Sequence, residues 1–254
     1  MSFVHGSSTR ALVNEVEISA EINGWSLGFN RQMSEVTCVG QVAGAAGSNF
    51  VPGLMSGALA LRGPQQADPT TGLTAEIQQA IGVDNAFQCT CLPDGIAVGK
   101  PAMMVVGDPT DYAIDATVAD AVSMTMTATA DESVEMGFVV AAFQAYTADA
   151  LTGTAVDRGA AIGPGGVAFT THGAVAWLHV SAFSGFTGVV VKVQHSADNS
   201  TWADLATFAT VTNVATGTQR IVVANGTTVN RYLRASIDVT GTGSVTALVA
   251  VAPR

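Results

Sequence analysis

The stretch SNFVPGLMSGALALRG, residues 48–63, decides the fold. Its second half alternates: Leu59 and Leu61 fall on one face of a strand, Ala58, Ala60 and Arg62 on the other. Ahead of it stands an aromatic-Val-Pro-Gly sequence. Pro52 fixes φ and Gly53 accepts a positive one, so a sharp corner from loop to strand is expected. The segment leading in, QVAGAAGSN (41–49), has no periodicity and is too apolar for a solvated linker. It is expected to lie against something.

Other strands surround this one. ALVNEVEISAEINGWSLGFNRQ reads as a hairpin, with alternation through Leu12, Val13, Val16 and Ile18 and the turn at Asn23-Gly24. SEVTCVG adds a strand end. In LTAEIQQAIGV, Leu73, Ile77 and Ile81 form an i, i+4, i+8 stripe, which predicts a helix lying on a sheet. Thr74 is its expected N-cap and Gly82 its stop. AFQCTCLP, PAMMVVG, DAVSMTMTATAD and EMGFVVAAFQAYT follow as strands. The row Val122, Met124, Met126 is expected in a core or an interface.

After the segment TADALTGTAVDRGAAIGPGG the rhythm changes. VAWLHVSA, GVVVKVQHSADNSTWADLATF and TQRIVVANGTTVNRYLRASIDVTGTGSVTALVAVAP are longer, simpler hairpins. They are broken at ADNST, at Asn225-Gly226 and at Gly241-Thr242-Gly243. This pattern predicts a β-sandwich. The expected organisation is a first domain over 1–152, a linker over 153–166 and a C-terminal β-sandwich over 167–254. The fold class is all-β with one short flanking α-helix.

Charged residues make up 12% of the 254 residues and hydrophobic ones 48%, yet aromatics only 6%. The apolar content is therefore mainly Ala and Val. Typical domains carry about 25% charge, so this chain has more apolar surface than a monomer comfortably exposes, and burial between subunits is expected. The net charge is −10 and unevenly spread. Residues 1–150 hold sixteen acidic and four basic side chains, whereas residues 151–254 hold four and six. With only Arg10, Arg31, Arg62 and Lys100 in the first part, tight binding to a phosphate backbone is excluded there. The uncharged stretch from Gly159 to Val191 is broken by Gly, Thr, Ser and His, so no membrane span is expected. The stretch MSFVHGSSTRALV has neither the basic start nor the apolar core of a secretory signal.

Chemistry is sparse. Cys38, Cys89 and Cys91 form no scaffold pattern and lack metal partners at a workable spacing; buried thiols are expected. His5, His172, His179 and His195 stand in unrelated contexts and read as structural. There is no nucleophile elbow, P-loop or dinucleotide fingerprint. DPTDYAID, with Asp108, Asp111 and Asp115, reads as a solvated acidic loop without the Gly and terminal Glu of a Ca²⁺ loop. No catalytic residue, cofactor or metal is expected.

The succession of hairpin, SEVTCVG, Gly-rich loop, NFVPGLMSGALALRG and one amphipathic helix resembles the major tail tube proteins of phages with long non-contractile tails. Its most specific piece is FVPGLMSGALALRG. VKVQHSADNSTWADLATF and NRYLRASIDVTGTGSVTALVAVA are similar to the second half of the longer members. The resemblance implies a tail-tube β-barrel or sandwich domain that forms hexameric rings, stacked into a hollow conduit for DNA. It implies a place in the virion tail, assembly in the host cytoplasm, and partners consisting of further copies, a tape measure protein inside, and terminator and baseplate proteins at the ends. DNA would pass without specific binding.

On that footing, the loop with Val42, Phe50, Val51, Pro52 and Gly53 is expected to contact neighbouring subunits and rings. Phe50 and Val51 would be held outward as a rigid anchor; the other reading folds Phe50 into its own core. Glu15, Glu17 and Glu21 are the expected lumen-facing carboxylates, repelling phosphates. The C-terminal sandwich would project outside, where Trp177, Trp202 and Tyr232 either pack in the core or contact glycans. The alternatives from other classes are a carbohydrate-binding or adhesin module, a capsid decoration subunit and a tail terminator.

Overall fold

The computed structural model describes residues 6–35, 50–66, 68, 70–118, 120–132, 134–160, 166 and 168–254; at 7, 31–35 and 50–55 it describes the backbone alone. The expected loop 41–49, with Val42, lies outside the described residues, as does the end of SEVTCVG.

Strands β1 (Arg10–Val13) and β2 (Val16–Glu17) form a short hairpin. Its turn is Asn14-Glu15, with Asn14 at φ 47°, a conformation a short polar side chain tolerates. Asn23-Gly24 is therefore not the hairpin turn: Gly24 opens β3 (Gly24–Glu35), which pairs antiparallel with β4 (Phe50–Pro64). The expected Pro-Gly corner is likewise absent. Pro52 and Gly53 lie inside β4, opposite a register irregularity between Arg31 and Met33, so the extra residue is absorbed as a bulge.

Helix α1 (Gly72–Ala80) follows, with Thr71 rather than Thr74 at the N-cap. Leu73, Thr74 and Ile77 are buried, whereas Ile81 lies past the helix end and is 62% exposed. Gly82, at φ 77°, ends the turn as expected. Then come β5 (Phe87–Leu92), β6 (Pro101–Asp115), β7 (Ser123–Ala130) and β8 (Glu135–Tyr146). DPTDYAID is thus strand, the outer part of β6, and not a loop. The remaining strands are β9 (Val156–Asp157), β10 (Phe169–Thr170), β11 (Ala174–Ser196), β12 (Ala203–Thr207), β13 (Gln219–Val223), β14 (Val229–Asn230) and β15 (Tyr232–Pro253). The fold class is all-β with one helix.

Strand β6 belongs to two sheets. Its first part pairs with β5 and β8, and beyond Gly107 it pairs with β7. One sheet runs β2-β1-β5-β6-β8-β15-β11, and the other runs β3-β4-β7-β6. Leu59, Leu61, Met124 and Met126 from the second sheet meet Val13, Phe87, Cys89 and Val105 from the first, and α1 adds Leu73 and Ile77. The methionine row faces this core. Fully burying each such Leu or Met stabilises by about 1.5–3 kcal/mol.

The C-terminal half is built on one long ribbon, β11 against β15. Register shifts between Val180 and Gly188 bend it at its middle. Gly185 sits there at φ 75°, and a Cβ on Gly243 would strike the Ser184 carbonyl, so side chains are excluded where the strands cross closely. Bending brings Leu178 and Val180 over Val191 and Ile237 in one core. The opposite face, with Val175, Trp177, Leu248 and Ala250, packs on Leu12, Leu92, Met104 and Val139 of the first half. Because β15 also pairs with β8, the segments 1–152 and 167–254 share a sheet and a core. Residues 150–157 run along β15 rather than away from it.

His179 sits at this junction, fully buried. Its Nδ1 is 2.8 Å from the Asn14 carbonyl and its Nε2 2.8 Å from Thr90 Oγ1. A carbonyl only accepts, so Nδ1 carries the proton and Nε2 accepts from the threonine hydroxyl. Burial holds the ring's pKa down at about 4.

Candidate assembly surface

The sheet β3-β4-β7-β6 buries one face and leaves the other bare. Alternation sets the two sides: Trp25, Leu27, Leu59, Leu61, Met124 and Met126 point into the core. The residues between them point out. Across the sheet they form rows: Gly24, Arg62, Thr125, Ala113; then Ser26, Ala60, Thr127, Asp111; then Gly28, Ala58, Thr129. All but Gly24, Ala60 and Thr127 are exposed, and those three are partly so. The wall is small and rich in hydroxyls, with Thr110 and Thr129 Oγ1 atoms 3.1 Å apart. Its charges include Arg62, Asp111, Asp108 in the row of Thr129 and, one row beyond Arg62, Asp115.

Both edges of this sheet are open among the described residues. Strand β3 pairs with β4 alone, and β6 from Asp111 to Asp115 pairs with β7 alone. Strand β4 meets β7 only from Ala58 onward, so Phe50–Gly57 and its partner in β3 extend beyond the sheet as a two-stranded arm. Unpaired edges are templates for pairing with another chain.

None of the carboxylates expected to face a lumen stands on this bare face. Glu15 is in the β1–β2 turn, and Glu17, exposed in β2, stands 3.5 Å from the Arg10 guanidinium. Glu21 Oε2 accepts the Leu73 N–H at 2.6 Å, satisfying an orphan donor at the start of α1. Of Phe50, Val51, Pro52 and Gly53 the backbone lies in the arm. The aromatic residues expected outside divide. Trp177 is buried. The Arg234 guanidinium lies 4.1 Å over the Trp202 ring and that of Arg231 4.9 Å over Tyr232, so one face of each ring is covered. Arg231 also donates to both Asp157 carboxylate oxygens, at 2.5 and 2.6 Å, and holds that carboxyl down at about 2.

Sequence reading missed one cluster. The carboxylates of Asp84, Asp108 and Asp131 lie within 4.8 Å of one another, brought together from the loop before β5, the middle of β6 and the end of β7. Asp108 Oδ1 accepts the Asn85 N–H at 3.0 Å. Asp108, Asp111 and Asp115 do not converge, because a strand spreads them along its length.

No family model matches the chain, and no curated protein does. Solved structures similar to it include a chain from the virion of a native gene transfer agent particle, with a TM-score of 0.42 and 9% identity over 52% of this chain and 97% of that one. Another is the SPP1 tail tube, at 0.37 and 9% over 50% and 76%. The SPP1 Dit protein of the hub adsorption apparatus aligns over 96% and 98%, at 0.34 and 10%.

Proposed function

We propose that this chain is the repeating subunit of a phage-type tail tube. The observation that carries the reading is the sheet β3-β4-β7-β6, open at both edges and bare on one face. Pairing β3 of one copy with the outer part of β6 of the next covers both edges at once. That contact is heterologous, so rotation closes it into a ring; six copies are what the resemblance implies. The bare face then lines a bore of threonines, serines, alanines and glycines. Such a wall offers phosphates few cations, Arg62 being outnumbered by Asp111 and Asp115, so DNA slides without repeated binding. The arm of β3 and β4, which extends past β7, is the part assigned to contact with an adjoining ring. The C-terminal half attaches through β8 to the other sheet, away from the bare face, which supports a place on the tube exterior.

In this reading the protein resides in the virion tail, surrounds a tape measure protein, ends against terminator and baseplate proteins, and performs no catalysis. Negative-stain electron microscopy of the purified chain, over a rising concentration series, tests it. Rings or tubes with an open centre are expected. A strictly monomeric chain throughout the series refutes the reading.

A further inference from the structure

The two open edges differ on their core side. Under β3 lies a groove of about 480 Å³ between the two sheets, lined by Arg10 and Ala11 of β1, by Ile22 and Asn23, and by Trp25. The Trp25 indole N–H is buried and donates to nothing among the described residues.

At the opposite edge, the β6–β7 hairpin ends in apolar side chains. Ile114 pairs across to Met124 and shares its side of the sheet, as does Val122 two residues before. Met124 is buried, but Ile114 is 54% exposed and Val122 39%, because no element among the described residues covers the hairpin end. Val118, between them, is fully exposed.

We propose that the Ile114 end of one copy seats in the Trp25 groove of the next. This rests on the ring reading and specifies its contact. The argument is one of level. Ile114 lies in the row of Met124 and Gly63, and the Asn23 N–H bonds to the Arg62 carbonyl at 2.8 Å, beside that row. When the sheet continues from β6 into the neighbour's β3 with rows kept level, Ile114 arrives next to residues 22–25, on the side where the groove opens. Its side chain meets Ile22 and Trp25 of the groove lining. The occupant is thus a second copy, matched in position and apolar surface.

The test uses the full chain. Ile114→Asp places a charge in the seat while leaving the monomer core untouched, and sedimentation velocity reads assembly. The concentration for half-assembly is expected to rise about tenfold or more. Independently, a mixture of Ile22→Cys and Ile114→Cys copies is expected to give a disulfide-linked dimer under mild oxidation, while either variant alone gives none. If the native chain assembles, Ile114→Asp assembles equally well and the mixture yields no linked dimer, the seat is refuted and the ring reading survives. If the native chain never assembles, both fall.

Discussion

Replacing His179 by glutamine isolates the pH dependence of the junction between the two halves. In the fold the ring is neutral, donating to Asn14 and accepting from Thr90. In the unfolded chain it titrates near its ordinary value of 6.5, and in the fold near 4. The depressed pKa means that the unfolded state binds the extra proton first. Stability from this group is therefore complete above pH 6.5, falls between pH 6.5 and 4, and is gone below. At 1.36 kcal/mol per unit the loss amounts to about 3 kcal/mol. Glutamine has a donor and an acceptor but does not titrate. The assay is urea unfolding of native protein and His179→Gln at pH 7, 5.5 and 4.5, compared by slope rather than by absolute stability, since the variant sets its own baseline. Glu76, bonded to Asn14 Nδ2 at 2.6 Å, is shifted upward chiefly by burial and so changes stability in the opposite direction. It is present in both proteins and cancels. A steeper acid loss in the native protein is expected; parallel slopes refute a neutral buried His179.

Glu21→Ala removes the acceptor for the Leu73 N–H at the start of α1. It is expected to lower stability by about 1 kcal/mol and the melting temperature by about 2–4 °C in a chain of this size, measured by calorimetry. A change in assembly with unchanged melting would instead support the lumen role. Thr125→Lys with Thr129→Lys adds two cations to the bare face at exposed positions. Tubes are expected to form as before but to retain double-stranded DNA in filter binding, with retention weakening as salt rises. Tubes that ignore DNA would place that face outside the bore.

Much of the fold was legible because period two survives in any sheet. Leu59 and Leu61, Met124 and Met126, and the stripe Leu73 and Ile77 declare their buried sides without reference to a partner. Punctuation was less faithful. Asn23-Gly24 and Pro52-Gly53 have turn chemistry, yet Gly24 opens the twelve-residue β3 and Pro52-Gly53 lies inside the fifteen-residue β4. The true turn at Asn14 uses a residue whose signal is weaker than that of Asn-Gly.

The assembly surface was legible only in part. Composition announced many small side chains and few charges, and hence surfaces meant for close contact. Which residues share a face depends on register between strands far apart in sequence. Ser26, Ala60, Thr127 and Asp111 become neighbours only through two ladders. The same holds for Glu21, whose role as a helix cap needs residue 73 beside it, and for His179, held by groups 89 and 165 positions away. Sequence by itself determined strand, helix and buried side, since these are local properties of alternation and side-chain size. Tertiary structure decided which edges stay open and which carboxylates are already engaged, since hydrogen-bonded partners come from distant parts of the chain.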